Sequence, residues 1–259
     1  MDKYEVFKKQ VNNLINIDLN YYKEKQMKRR ISSLVARNNF KDFEDYFDGL
    51  KKDKQLLNQF VNYLTINVSE FYRNPSQWQV LEKDIIPRII NRDKKTLKVW
   101  SSACSTGEEP YSLVMLLTNF FPLKDIKVLA TDIDDEALNK ARLGLYSEKS
   151  LSNLPKGFKE KFFTKIENSY KINEEIKKCV EFKKMDLLKD SFPTYVDLLT
   201  CRNVMIYFTE EAKELLYDKF YKSLSDNGIL FVGSTEQIIM PEKYKYKPVK
   251  TFFYEKIIK

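Results

Sequence analysis

The sequence contains no histidine. That absence removes Ser-His-Asp and Cys-His catalysis, HExxH metalloprotease sites and imidazole general bases together, because no other unperturbed side chain changes charge near neutrality. Chemistry here must do without such a group, or shift a carboxylate, lysine or thiol into that role. Cysteine is scarce: Cys104, Cys179 and Cys201 are far apart and odd in number. They form neither a disulfide framework nor a zinc knuckle, and they suit a reducing, cytoplasmic compartment. Six glycines and eight prolines exclude collagen-like and low-complexity chains. Long apolar runs are missing too. Residues 113–117 and 204–208 are among the longest, against the roughly 18–20 residues that span a bilayer. The start, MDKYEVFKKQ, is charged and lacks a signal-peptide core.

What is present suffices for a core. Of 259 residues, 43% are hydrophobic and 14% aromatic, which fits one large or two modest domains. Lys and Arg number 45 against 37 Asp and Glu, a net charge of +8, so an acidic partner would be attracted.

Apolar residues recur at helical spacing through the first 65 positions: Tyr4, Phe7 and Val11; Met27, Ile31 and Leu34; Tyr46, Phe47 and Leu50; Phe60, Val61 and Leu64. The spacing predicts four short amphipathic helices in a small bundle over residues 1–66. A polar linker and connecting helix follow over 67–91, with Asn74 placed to cap and Pro75 at the first helical position. From residue 92 to 259 strands and helices alternate. Strands are expected at 97–100, 127–131, 180–184, 196–201, 229–232 and 251–256, with helices at 108–120, 135–142 and 210–225. This order implies an α/β fold, a parallel doubly wound sheet with ligands at the carboxyl ends of its strands. Residues 151–179 break the rhythm and read as an inserted subdomain. The run 204–208 reads as strand-like.

After the first expected strand comes SSACSTGEEPYS, residues 101–112. A dinucleotide loop at this place would be glycine-rich, so that the backbone could approach a pyrophosphate. Here Gly107 is the lone glycine and Glu108 and Glu109 follow it. Acids would repel phosphate and would suit a cationic ligand without phosphate, such as S-adenosylmethionine (SAM). The same residues, Thr106 to Glu109, also fit an S/T-x-x-E capping box. Asp132, ending the second expected strand 25 residues after Gly107, stands where doubly wound folds place an acid for ribose hydroxyls. It also fits a turn former or helix cap.

Residues 21–37 carry Lys23, Lys25, Lys28, Arg29, Arg30 and Arg37 against Glu24 alone. This is either a solvated helix face or a surface that steers and docks an acidic helical partner.

The segments TINVSEFYRN, VWSSACSTGEEPYSL, ATDID, CRNVMIYF and GILFVGSTE resemble, in that order, the chemotaxis receptor methyltransferases of the CheR type. The resemblance covers essentially the whole chain. It implies a small all-α N-terminal domain, a doubly wound Rossmann-like SAM-dependent methyltransferase domain, and a small inserted β subdomain. The implied reaction is methyl transfer from SAM to receptor glutamates, giving methyl esters and S-adenosylhomocysteine, with no metal. By match to the family's motifs, Asn67, Ser69, Arg73, Glu109, Asp132, Asp186, Leu187, Cys201, Arg202 and Asn203 would hold the cofactor. Arg73 and Tyr207 would stand at the reacting centre. The implied partner is the cytoplasmic helical bundle of chemoreceptors, met through Lys28, Arg29, Arg30 and Arg37, with no nucleic acid and with the membrane reached only through receptors. The sequence departs from the pattern at Ala103, where glycine is usual, at Ser69 for Thr, at Tyr72 for Phe and at Asp186 for Asn. Two other readings use the same features: a SAM-binding docking module without turnover, and a nucleic-acid methyltransferase, which the absence of a Pro-Cys dipeptide and a D/N-P-P-Y motif disfavours. Bland alternatives stand beside several roles, namely a salt bridge for Arg73, a turn for Asn67, a core position for Tyr207 and a small buried hydrophobe for Cys201.

Overall fold

The computed structural model describes residues 2–65, 67, 69–90 and 96–258. The chain divides into two compact units: Met1–Ile66 with Met205–Leu215, and Asn67–Val204 with Leu216–Lys259.

In the first unit the amphipathic stretches are helices α1 (Lys3–Ile15), α2 (Glu24–Arg37), α3 (Phe43–Lys52) and α4 (Lys54–Thr65). Asp42 starts α3 by accepting the N–H groups of Glu44 and Asp45 at 3.1 Å, two donors that have no partner inside the helix. Phe7 is buried among aromatic rings, 5.9 Å edge-on from Phe60 and 6.3 Å from Tyr46. Residues 205–209 join this unit by backbone bonding: Lys23 N–H donates to the Tyr207 carbonyl and Thr209 N–H to the Tyr21 carbonyl, each at 2.9 Å. The run 204–208 is therefore not a strand. It holds a 3₁₀ turn, Met205–Tyr207, and an antiparallel bridge between Phe208 and Tyr22.

The second unit opens with α5 (Pro75–Val80), a π turn (Leu81–Ile85) and α6 (Ile86–Ile90). Pro75 takes the first helical position, but Asn74 sits at φ 61° and makes no side-chain cap. The strands are β1 (Lys98–Ser101), β2 (Lys127–Asp132), β3 (Leu145–Ser147), β4 (Phe163–Ile166), β5 (Ser169–Ile172), β6 (Val180–Lys184), β7 (Val196–Cys201), β8 (Leu224–Val232), β9 (Tyr246–Lys250) and β10 (Phe253–Lys256). Between them lie α7 (Glu108–Leu117), α8 (Asp135–Leu143), α9 (Phe158–Phe162) and α10 (Glu174–Lys177), while α11 (Glu210–Ser223) is shared, its residues to Leu215 counting with the first unit.

The main sheet has the order β6-β2-β1-β7-β8-β10-β9. Its first five strands are parallel, whereas β10 and β9 pair antiparallel at one edge. The sheet is thus mixed rather than wholly parallel. All six residues of β7 are buried, as a strand covered on both faces requires. From β1 the chain winds outward through β2 to β6, and then returns to β7 on the other side. The switch point between β1 and β7 is where such folds open a ligand crevice. A separate antiparallel sheet, β3-β5-β4, runs from Leu145 to Ile172, so its first strand precedes the break in rhythm read at residue 151.

Candidate active site

The carboxyl ends of β1, β2 and β7 lie side by side, with Ser101 in register with both Ala130 and Thr200. The loop after β1 is stitched to both neighbours. Ser102 donates its N–H and its hydroxyl to the Thr200 carbonyl, and Cys104 N–H donates to the Thr131 carbonyl. Ser105 is left-handed at φ 47°, a conformation that strains a residue with a Cβ. It is held there from two sides: its N–H donates to Asp132 Oδ2 at 2.7 Å and its hydroxyl to Asn67 Oδ1 at 3.0 Å. Asn67 Nδ2 in turn donates to Asp134 Oδ2 at 2.6 Å, while Asp134 Oδ1 caps α8.

Gly107, at φ 95°, is the residue that precedes α7. A Cβ there would lie 2.8 Å from that of Ala141 and 3.0 Å from the Tyr146 hydroxyl. The capping box does not form. Thr106 stands one residue too early, and its hydroxyl donates instead to Glu108 Oε2 at 2.6 Å.

Electrostatically the crevice is acidic. Asp132 is 7% exposed. Its oxygens accept backbone N–H groups, from Ser105 at 2.7 Å, from Asp134 at 3.0 Å and from Ile133. Burial lifts its carboxyl from the usual range to about 6, against the pull of those N–H groups, and the Asp134 charge pushes the same way. Glu108 is also buried, and burial raises its carboxyl, opposed by hydrogen bonds with Thr106 and Ser69. Among the described residues no lysine or arginine pairs with either acid.

Glu109 is different. Oε1 accepts from the hydroxyls of Ser101 (2.8 Å) and Thr200, and Oε2 accepts from Arg202 at 3.2 Å. Arg202 is 6% exposed, and its other terminal nitrogen donates to the Arg73 carbonyl at 2.7 Å and to Gln77 Oε1 at 2.8 Å. Its guanidinium lies 4.6 Å from the Phe231 ring centre. The side-chain bonds of Glu109 and Arg202 thus tie the first loop to the start of the segment carrying Arg73. Burial draws the Arg202 pKa down, and Glu109 opposes that shift.

Of the other motif residues, Asp186 accepts the Leu188 N–H at 2.9 Å and closes the turn after β6, where burial raises its carboxyl. Leu187 is buried beside it. Cys201 is fully buried at the end of β7; burial pushes its thiol up and a hydrogen bond with Ser102 opposes this, as suits a small core residue. Asn203 is left-handed at φ 61°. Its N–H and that of Gly233 both donate to Glu236 Oε2, at 2.5 and 2.9 Å. Arg73 is half-buried in the second unit. Tyr207 is half-buried in the first.

The structure adds Glu236, Gln77, Asp134, Ser101 and Thr200 to the constellation. For Glu236 a signal existed: an acid just past the end of an apolar strand, in GSTE.

A doubly wound sheet whose first loop is acidic and poor in glycine, with an acid closing the second strand, defines a SAM-binding methyltransferase. Comparison with known proteins narrows this. The family model for the CheR methyltransferase SAM binding domain matches residues 67–253, and that for the CheR methyltransferase all-alpha domain matches residues 2–65. A chemotaxis protein methyltransferase of Listeria innocua is 41% identical over 253 residues, covering 98% of this chain and 97% of that protein. One from Borreliella burgdorferi is 35% identical, covering 91% of this chain and 90% of its own. The chain belongs to the CheR methyltransferase family.

Proposed function

We propose that the protein transfers the methyl group of SAM to glutamate side chains of chemotaxis receptors in the cytoplasm, leaving glutamate methyl esters. The observation that carries this reading is the pair of buried acids, Asp132 and Glu108, that have no cationic partner among the described residues and flank a glycine-poor loop. A phosphate-bearing cofactor would be repelled there, and a ligand with positive charge and ribose hydroxyls fits. When bound, SAM supplies a methyl group on a positively charged sulfur.

The chain's own residues divide the remaining work. Asp132 accepts hydrogen bonds from ribose hydroxyls beside those it takes from the N–H groups of Ser105, Asp134 and Ile133. Asn67, Ser69, Asp186, Leu187 and Asn203 line the cofactor's sides, while Glu109 and Arg202 hold the loop and the Arg73 segment in place. A glutamate acceptor has a pKa of about 4.3 and is ionised at neutral pH, so no residue need take its proton. This accommodates the missing histidines. The enzyme must instead strip water from the carboxylate and align it, and orientation alone can contribute roughly 7–11 kcal/mol. Arg73 orients the carboxylate through paired hydrogen bonds, and the Tyr207 hydroxyl fixes geometry near the methyl group.

Receptor docking falls to α2. Of the expected docking residues, Arg29 and Arg37 are exposed and Lys28 pairs with Asp2 at 2.9 Å, and an acidic helical bundle complements this basic face. Arg30 serves the fold as well, donating to the Tyr63 carbonyl and stacking 4.6 Å from the Tyr63 ring centre.

The test is transfer of labelled methyl from SAM to a purified receptor cytoplasmic fragment, followed by mild alkali. Label released as methanol, and absent when the receptor glutamates are alanine, supports carboxyl methylation. SAM binding without transfer would favour a docking module. The pair Arg73→Ala and Tyr207→Phe refines the assignment: both should lower kcat more than they weaken SAM binding, and equal losses would make them cofactor holders only.

A further inference from the structure

The small antiparallel sheet contributes one side chain to the cofactor loop. Tyr146, on β3, is 5% exposed, and its hydroxyl donates to the Thr106 carbonyl at 2.8 Å. Thr106 lies between Ser105 at φ 47° and Gly107 at φ 95°, so the bond falls on the residue that two left-handed neighbours flank. The ring is itself fixed. Phe71 meets it edge-on at 4.8 Å, and Tyr111 does so at 6.4 Å. Phe71 N–H donates to the Ser150 carbonyl, and its ring also meets Phe163 of β4 at 5.2 Å. One sheet therefore holds both the loop after β1 and the segment that carries Ser69 and Arg73.

A glycine-rich loop keeps such a conformation at little strain, because glycine enters the left-handed region freely. This loop has Ala103 and Ser105 instead. Its shape depends on outside anchors, and the Tyr146 hydroxyl is the anchor that comes from the β3-β5-β4 sheet.

We propose that Tyr146 is a positioning residue for the cofactor: its hydroxyl holds the Thr106 carbonyl and so sets the loop from which Glu108 and Glu109 depart. The inference rests on the reading of this loop as the SAM site. Loss of the hydroxyl lets the loop relax before the cofactor arrives, so SAM must reorder it. That raises the dissociation constant and leaves the bound geometry, hence kcat, nearly unchanged.

The experiment uses the full chain with Tyr146→Phe, which keeps the ring and removes the hydrogen bond. As a control, Tyr170→Phe removes a hydroxyl from the same sheet that faces Glu148 at 3.4 Å rather than the loop. SAM binding is measured by titration calorimetry, and kcat and KM for SAM by methyl transfer. Tyr146→Phe is expected to raise the dissociation constant and KM about five-fold, close to one hydrogen bond's net worth, with kcat within two-fold of wild type; Tyr170→Phe should match wild type in all three. A Tyr146→Phe protein that melts earlier but binds SAM as wild type does would overturn the proposal, leaving the residue a core tyrosine. A kcat loss with unchanged affinity would overturn it as well. If the unaltered protein binds no SAM, it is the functional reading that fails, and the two failures are separable.

Discussion

Asp132 offers a perturbation whose sign differs for stability and for binding. Replacing it with asparagine removes a buried charge. The rise of its carboxyl from 3.8 to about 6 means that the ionised form is disfavoured in the folded chain by about 3 kcal/mol. Asparagine offers one carbonyl oxygen where two oxygens now accept from Ser105 and Asp134, and losing one such bond costs about 1 kcal/mol. The net expectation at pH 7.5 is a stabilisation of about 2 kcal/mol, or roughly 4–8 °C in the midpoint of the transition for a chain of this size.

The pH dependence follows from linkage. Because the folded pKa lies above the unfolded one, the folded state takes up the proton first on acidification. The strain is complete above pH 6 and is relieved as the pH falls toward 3.8. The advantage of Asp132→Asn should therefore shrink below pH 6 and be gone by about pH 4.5. Binding runs the other way: the variant should lose roughly ten- to hundred-fold in SAM affinity, the range of a hydrogen bond to a charged group. Wild-type affinity should weaken below pH 6 as Asp132 protonates, and the variant's should not. Calorimetric scans and SAM titrations at pH 7.5 and 4.5 test both halves. A variant less stable than wild type by the same amount at both values would refute the argument, since the carboxylate would then not be strained.

Three further outcomes follow from the same geometry. Arg202→Met leaves the half-buried Glu109 without its cation, and breaking a pair whose arginine is fully buried costs up to roughly 3 kcal/mol; denaturant unfolding should show it, and restoration by Glu109→Gln in the same chain should recover part of the loss. Gly233→Ala drives a Cβ into Glu236 Oε2 and to 2.9 Å from the Asn203 nitrogen, so it should displace that carboxylate and lower SAM affinity several-fold in a titration, whereas Gly157→Ala, with open space around it but at φ 84°, should cost stability and leave affinity unchanged. Arg29→Glu, on the exposed face of α2, should raise KM for the receptor at low salt without altering SAM affinity, and the difference should fade as ionic strength rises.

Parallel strands were legible because burial on both faces leaves short β-rich apolar runs, as in Lys127–Asp132, which ends in an acid, and in Val196–Cys201, which is buried throughout. The edge strand Tyr246–Lys250 carries two lysines and a proline around the site of pairing, the marks of a protected edge, so its pattern imitates a loop. Thr106 misled for a local reason: Gly107 takes the cap position, and a one-residue offset turns a capping box into a side-chain contact with Glu108. Residues 205–208 misled for a distant one, because their partners lie at Tyr22 and Lys23, far away in sequence. The candidate site divides in the same way. Asp132 and the acidic loop were visible as strand-end chemistry, but the bond from Arg202 to Gln77 joins positions 125 residues apart, and spacing along one chain carries no trace of it.

The glycine poverty of the first loop links these observations. Glycine lets a loop come close to a ligand by having nothing in the way, and it leaves the loop's conformation weakly defined. Here the conformation is fixed by bonds from separate segments: Asn67 and Asp132 on Ser105, Thr131 on Cys104, Thr200 on Ser102, and Tyr146 on Thr106. Each bond is worth only about 1 kcal/mol net, so no single one decides whether the loop folds. Their sum decides how much ordering is left for a ligand to do, and that is why single losses around this loop should appear first as changes in affinity, with kcat following only when the acceptor's own contacts are touched.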